Sequence, residues 1–181
     1  MHFLRHFITI TKHKILVFNY CLRAGIIKQG ITHDLSKYSF TEFYNGAKYY
    51  SGCFSPNHNE RLDKGYSEAW MHHKGRNKHH SEYWVDIDLK QGIYVPVLMP
   101  NKYIVENICD RIAASKVYNK KNFKPIYVLD YFLKEKDRII MHEHSKLILQ
   151  KLLNIYVENG LKYILKYLKK TKKLKDFGLQ I

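Results

Sequence analysis

The stretch FLRHFITITKHKILVFNYCLRAGIIKQGITHDLSK (residues 3–37) decides how the rest of the chain is read. Phe3, Phe7, Ile10, Leu16, Val17, Tyr20 and Ala24 recur at the three- and four-residue steps that put apolar side chains on one face of an α-helix. Gly25 follows, a residue free to take the left-handed conformation that ends a helix. His13 falls inside the apolar stripe, between Ile10 and Val17, so its imidazole is expected to face the interior. A second, short helix is expected to carry His33 and Asp34.

Further along, Ser39-Phe40-Thr41-Glu42 has the form of a capping box and predicts a helix through Tyr50. Residues 51–65 contain Gly52, Pro56, Asn57, Asn59 and Gly65 and read as an exposed loop. Residues 66–84 return to helical character, interrupted near Gly75. Ile93 to Leu98 is β-prone but short, and Pro96 and Pro100 argue against a central strand, leaving an extended connector or a small hairpin. Asn101 is expected to cap a helix through about Tyr118, with Ile104, Ile108, Ile112 and Ala113 inward. Pro125 suits the first turn of the next helix. A long helix from about Lys136 to Glu158 should end at Asn159-Gly160. The stretch LKYILKYLKKTKKLKDFG (residues 161–178) reads as a basic amphipathic helix with a fraying end. With no internal repeat or low-complexity linker, residues 1–181 form one all-α domain, a bundle of about six to eight helices.

Composition agrees. A hydrophobic content of 45% and an aromatic content of 14% exclude a disordered chain. Cys21, Cys53 and Cys109 stand far apart with no CxxC pair, which excludes a disulfide framework and a zinc knuckle and suits reduced thiols in the cytoplasm. The N-terminal stretch is interrupted by His2, Arg5, His6, Lys12, His13 and Lys14, so neither a signal peptide nor a membrane span is expected. The net charge of +15 favours polyanions such as nucleotides, nucleic acid or anionic lipid. An AT-rich genome would enrich Lys, Ile, Asn and Tyr in the same way, so charge alone selects no partner.

The chemistry starts at His33 and Asp34. An imidazole and a carboxylate on adjacent residues can bind one divalent metal, and the second carboxylate oxygen can bridge to another. Asp110 lies on an apolar helix next to Cys109, where an unpaired carboxylate is costly to bury. His72 and His79 are seven residues apart, as are His73 and His80, so each pair shares a face of a continuous helix. Seven residues rise about 10 Å. One metal for both members of a pair therefore needs a kink at Gly75, or each member serves a different ion of a pair about 3.5–4 Å apart. The competing reading is a basic surface helix with Lys74, Arg76 and Lys78. Glu106, four residues before Asp110, shares its face and is a candidate for an acid behind the ligands or for a general base. His142 and His144 read as ordinary helix residues, and His2, His6 and His58 as surface groups.

In chain order, His13, His33-Asp34 and Asp110 resemble the H…HD…D signature of the HD superfamily of metal-dependent phosphohydrolases. HDLSK resembles its HD-x-x-K variant, which implies that Lys37 lies near the phosphate. HHKGRNKHHSEYW (residues 72–84) and VENICDRIAASKVY (residues 105–118) look like an uncharacterised bacterial and phage family in that superfamily. Its members combine HDLSK, H-x-x-x-N-x-H-H-x-E-Y and E-x-x-C-D in this order. The resemblance spans Lys12 to Tyr118. It implies an HD-type helical bundle with metal ligands His13, His33, Asp34, His73, His80 and Asp110. Asn77, His79 and Glu82 would then orient ligands or touch substrate. One or two ions of Mn, Fe, Mg or Zn are implied, and mixed imidazole and carboxylate ligands favour a transition metal.

Three functions follow as expectations. The first is hydrolysis of a phosphate ester in a nucleotide or related small molecule, with Asp34, Lys37 and Glu106 catalytic and Arg76 or Arg111 assisting Lys37. The second uses the same ligands for a di-iron centre that activates oxygen. The third is a non-enzymatic basic protein that binds nucleic acid or a partner through Lys162 to Lys175, the metal being structural.

Overall fold

Helix α1 (Phe3–Ala24) has the predicted extent and stops at Gly25, whose φ of 73° is the left-handed turn expected there. The computed structural model describes residues 2–52 and 54–180, and among these it forms eight α-helices and one two-stranded hairpin. Ile10, His13, Val17, Tyr20, Cys21 and Ala24 of α1 are buried, and so is His6, in contrast to the surface position expected for it.

Helix α2 (Ile27–Thr32) folds back along α1, with Gly30 against Phe18 and a Cβ at residue 30 only 2.8 Å from Cys21 Cβ. It ends before His33, so the dyad does not ride on a helix as expected. His33 is extended (φ −52°, ψ 125°) and Asp34 is left-handed (φ 53°, ψ 26°), followed by a 3₁₀ turn over Leu35–Tyr38. Neighbouring helical side chains would diverge by about 100°; the break lets both point inward. Lys14 Nζ donates to the carbonyls of Ile31 (2.9 Å) and His33 (2.7 Å), tying this turn to α1.

Helix α3 (Phe40–Lys48) starts at Ser39, whose Oγ accepts from the Glu42 N–H at 3.4 Å. The reciprocal half of the capping box is absent: the Ser39 N–H donates to the Ser36 carbonyl, and the Glu42 carboxylate points elsewhere. The expected loop over 51–65 is a correction. Pro56 occupies the first turn of α4 (Pro56–Lys64) and Gly65 (φ 81°) ends it, so two residues that read as breakers delimit a helix. Helix α5 (Glu68–Lys74) stops at Gly75, and the chain then turns through Asn77 to a 3₁₀ turn at Ser81–Tyr83. Strands β1 (Val85–Asp88) and β2 (Ile93–Pro96) pair antiparallel, from Val85 opposite Pro96 to Asp88 opposite Ile93.

Helix α6 (Asn101–Asn119) packs along α1 and buries Ile104, Val105, Ile108, Cys109, Ile112 and Ala113. Its N-cap is Pro100, whereas Asn101 donates its amide to the carbonyls of Lys172 and Leu174. Helix α7 (Ile126–Glu135) follows Pro125. The long helix begins later than expected: α8 (Glu143–Thr171) is capped by His142, whose Nδ1 accepts the His144 N–H. The basic tail continues it across a break at Gly160 (φ 79°, ψ 177°), a backbone conformation essentially confined to glycine. His144 Nε2 sits 2.6 Å from Asp176 Oδ1, holding the last turn against α8.

The core joins α1, α6, α7 and α8 through Val17, Ile108, Phe132, Leu152, Tyr156 and Leu165, with Phe177 closing it from the C-terminal end. Cys21 and Cys109 are free thiols inside it, and Cys53 lies outside the described residues. Among the described residues no helix is long and apolar enough to cross a membrane.

Candidate metal centre

Asp34 stands between two groups of donor atoms. On one side its Oδ2 lies 3.3 Å from His33 Nε2 and 3.8 Å from His13 Nε2. Asp110 Oδ1 lies 2.9 Å from His13 Nε2 and 3.7 Å from His33 Nε2. On the other side Asp34 Oδ1 lies 3.2 Å from His73 Nε2 and 3.5 Å from His79 Nε2. His73 Nε2 is 2.9 Å from His80 Nε2. Within each group, His13-His33-Asp34-Asp110 and Asp34-His73-His79-His80, one ligand atom per residue lies within 4.8 Å of all the others.

The structure therefore brings together all six residues expected as ligands and adds His79, expected only to orient ligands or touch substrate. The break at Gly75 sets His73 and His80 side by side, although a continuous helix would separate them by about 10 Å. Asp34 Oδ1 and His79 Nε2 are buried with no hydrogen-bond partner among the described residues, and Asp34 Oδ2 is paired with the Lys37 ammonium. Such atoms are costly unless something satisfies them. Imidazole nitrogens and carboxylate oxygens aimed at shared points are the donor set of a divalent transition-metal site, so these groups can hold a metal ion.

Two buried glutamates set the imidazoles. Glu106 Oε1 is 3.0 Å from His33 Nδ1 and 3.2 Å from His79 Nδ1. Glu42 receives His72 Nδ1 at 2.6 Å and His73 Nδ1 at 2.8 Å. Each carboxylate accepts from Nδ1–H, so whenever His33, His79 and His73 are neutral their lone pair lies on Nε2, facing the centre. Glu106, expected either as an acid behind the ligands or as a general base, stands behind two imidazoles, the first of these placements. Glu42 fills the same role and was read only as a capping residue.

Charges follow from this packing. Burial works to raise the pKa of Asp34, but His33, Lys37 and His73 hold it well below the usual carboxylate range. Burial works the same way on Asp110, and His13 and His33 hold it low. Burial lowers His13 and His80, with Asp110 opposing at His13 and the neighbours His79 and His73 adding to the effect at His80. Burial also opposes a charged His33, yet Asp34, Asp110 and Glu106 outweigh it and raise its pKa well above the ordinary value. Lys37 Nζ, 2.6 Å from Asp34 Oδ2, keeps its charge: burial is outweighed by Asp34 and Asp110.

The other expected residues stand further out. Asn77 Nδ2 donates to Ser36 Oγ (2.8 Å) and the His73 carbonyl (2.8 Å), fixing the turn after α5. Arg111 holds Asn107 Oδ1 (2.9 Å) and faces Glu135, and Asn107 in turn donates to the His79 carbonyl. Arg76 is exposed and donates to the His72 carbonyl, and Glu82 accepts from Ser81. Neither arginine is paired with a donor atom of the centre: Arg76, in the turn after α5, bonds back to that helix, and Arg111 bonds within α6 and faces α7. Lys172, in the basic tail, donates to the Ala24 carbonyl at 3.1 Å and so serves the fold.

The fold and site together define an all-helical protein with a buried histidine and carboxylate centre able to hold metal. The chain belongs to a family of unknown function (DUF5662), whose model matches residues 2–155. No curated protein and no solved structure matches the chain.

Proposed function

We propose that this protein is a metal-dependent phosphohydrolase of the HD type, acting on a nucleotide or a related small phosphate ester. One observation carries the reading: buried Asp34 presents Oδ2 to one group of imidazole and carboxylate donors and Oδ1 to a second, with Lys37 paired to Oδ2. The order of His13, His33-Asp34 and Asp110 along the chain supports the HD assignment. A bound divalent ion lowers the pKa of a water molecule and polarises a phosphoryl oxygen. The protein's part is electrostatic and positional. Lys37, partly exposed and charged, neutralises an anionic phosphoryl oxygen that arrives from solvent. Glu106 and Glu42 keep four imidazoles in one tautomer and orientation. In the reaction the water oxygen forms the new P–O bond, the ester P–O bond breaks, and one water proton ends on the departing alcohol.

The test is phosphate release from a panel of nucleotides and simple phosphate esters with Mn, Fe, Mg or Zn added. Wild-type protein releases phosphate and Asp34→Ala does not; equal activity in both overturns the reading. The abundance of nitrogen donors, five imidazoles around one shared carboxylate, also suits a di-iron centre that activates oxygen. Coloured, iron-loaded protein that releases no phosphate from any ester selects that alternative.

A further inference from the structure

A cavity of ≈ 80 Å³ opens beside the centre. Lys37 and His73 bound it on one side; His6, Thr9, Tyr50 and Asn57 are among the residues bounding it elsewhere. Lys37 and His73 are also the side chains 2.6 and 3.2 Å from the two Asp34 oxygens, so whatever fills the cavity lies against the metal-binding groups. The Lys37 side chain is 31% exposed, which gives the cavity its route to solvent.

Charge and hydrogen-bond capacity limit the occupant. Lys37 is the one lysine or arginine among the lining residues, and the one carboxylate, Glu42, is engaged by His72 and His73. Lys37 supplies one fixed positive contact for a phosphate at the cavity mouth. The remaining polar lining consists of hydroxyl, amide and imidazole groups. Thr9 donates its one hydroxyl hydrogen to the Arg5 carbonyl at 2.9 Å, so in the 2.9 Å contact between Thr9 and Tyr50 it is Tyr50 that donates. The Tyr50 oxygen is then left with acceptor capacity, suited to a ligand hydroxyl. His6 is 6% exposed and its Nδ1 has no hydrogen-bond partner among the described residues. Burial and the nearby Lys37 lower its pKa to about 4, so it is neutral at pH 7. Gly46 makes its position possible, since a Cβ there would come within 2.2 Å of His6 Nε2. Size adds a third limit. Pockets that enclose a whole drug- or cofactor-sized ligand run from about 300 Å³ upward; this one holds a few heavy atoms and excludes a ribose with its base.

We propose that the cavity receives the alcohol portion of a small phosphate monoester, a polyol- or sugar-sized group with free hydroxyls, with its one phosphate against Lys37. The proposal rests on the phosphohydrolase reading for its chemistry, but the cavity can be tested separately. The probes are glycerol phosphate, ethyl phosphate (similar in size, without free hydroxyls), AMP and ATP, each with metal-loaded protein. Glycerol phosphate is expected to be hydrolysed with a kcat/KM at least about ten-fold above that of AMP or ATP. Tyr50→Phe is expected to raise KM for glycerol phosphate about three- to ten-fold with kcat nearly unchanged, while leaving KM for ethyl phosphate alone. Preference for AMP or ATP, or an equal effect of Tyr50→Phe on both small esters, overturns the proposal. If none of the four releases phosphate, the phosphohydrolase reading has failed, and calorimetric binding still decides the cavity. Tighter binding of glycerol phosphate than of AMP, weakened by Tyr50→Phe, supports it. Binding that is unaffected by Tyr50→Phe, or absent, overturns it.

Discussion

Helices α1 and α6 each pass through two environments that are held together by opposite means. Toward α8 their contacts are hydrocarbon: Val17, Ala24, Ile108 and Ile112 meet Leu152, Leu153 and Leu168. Toward α2 and α5 the same two helices present His13, Glu106 and Asp110 to the His33-Asp34 turn. Apolar packing is proportional to area and tolerates exchanges of similar volume. The polar end depends on matched partners, and the loss of one leaves another buried and unpaired. The two ends should therefore fail differently, one by unfolding and the other by losing its ion while staying folded.

The largest expected effect breaks only the polar end. Asp34→Asn keeps a residue tolerant of the left-handed backbone but removes the one anionic group shared by both sets of donors, leaving a neutral oxygen and an amide N–H₂. Phosphate release should fall by about three orders of magnitude, with metal content reduced and the urea midpoint in chelator little changed. A collapse of the midpoint would show that the two ends are not separable. The mirror experiment is Leu152→Ala, at a fully buried position, which should cost about 2–5 kcal/mol of stability in urea titrations. Its bound metal per folded chain should equal that of wild type.

Acid sharpens the contrast. The folded pKa of His6 is lowered to about 4 from the ordinary 6.5, so the unfolded chain binds more protons between these values. Stability is then lost as pH falls through this window, by up to about 3 kcal/mol from this residue at pH 4. His6→Gln should flatten that part of the pH dependence when both proteins are unfolded in chelator; an unchanged slope would remove His6 as its source. Smaller again, Glu106→Gln should weaken metal affinity about 10- to 100-fold, read by competition with a chromophoric chelator, with a normal melting curve. Last, Lys172→Ala removes one bond to the end of α1 and should cost no more than about 1 kcal/mol with metal binding untouched.

Much of this arrangement was legible in the residues, and the misses share a cause. Periodicity locates α1 and Gly25, and the separated His13, His33-Asp34 and Asp110 point from the sequence to one candidate site. The rule that turned His13 inward applies equally to His6, because residues 6, 10, 13, 17, 20 and 24 form one stripe, and the signal was passed over. Glu42 was hidden by a sufficient local explanation: a glutamate three residues after a serine reads as a cap, and nothing local says that its carboxylate serves two distant imidazoles. Pro56 and Gly65 punctuate a helix as readily as a loop, and only the buried Glu60, bonded to Ser67 Oγ at 2.6 Å, distinguishes the two. The left-handed turn at Asp34 had no signature at all, since aspartate adopts it only where its surroundings require it. Local pattern specifies which face is wet, whereas long-range partnership decides which carboxylate goes where.

The break at Gly160 gives the molecule a seam. The family match ends at residue 155, just short of it, and beyond it the chain supplies Ile164, Leu165, Leu168 and Phe177 to the interior but no atom to the donor groups. The terminal segment thus completes the core from outside the donor groups, fastened by Lys172 and the His144-Asp176 pair. A change in this segment can therefore loosen the core without altering any ligand to an ion.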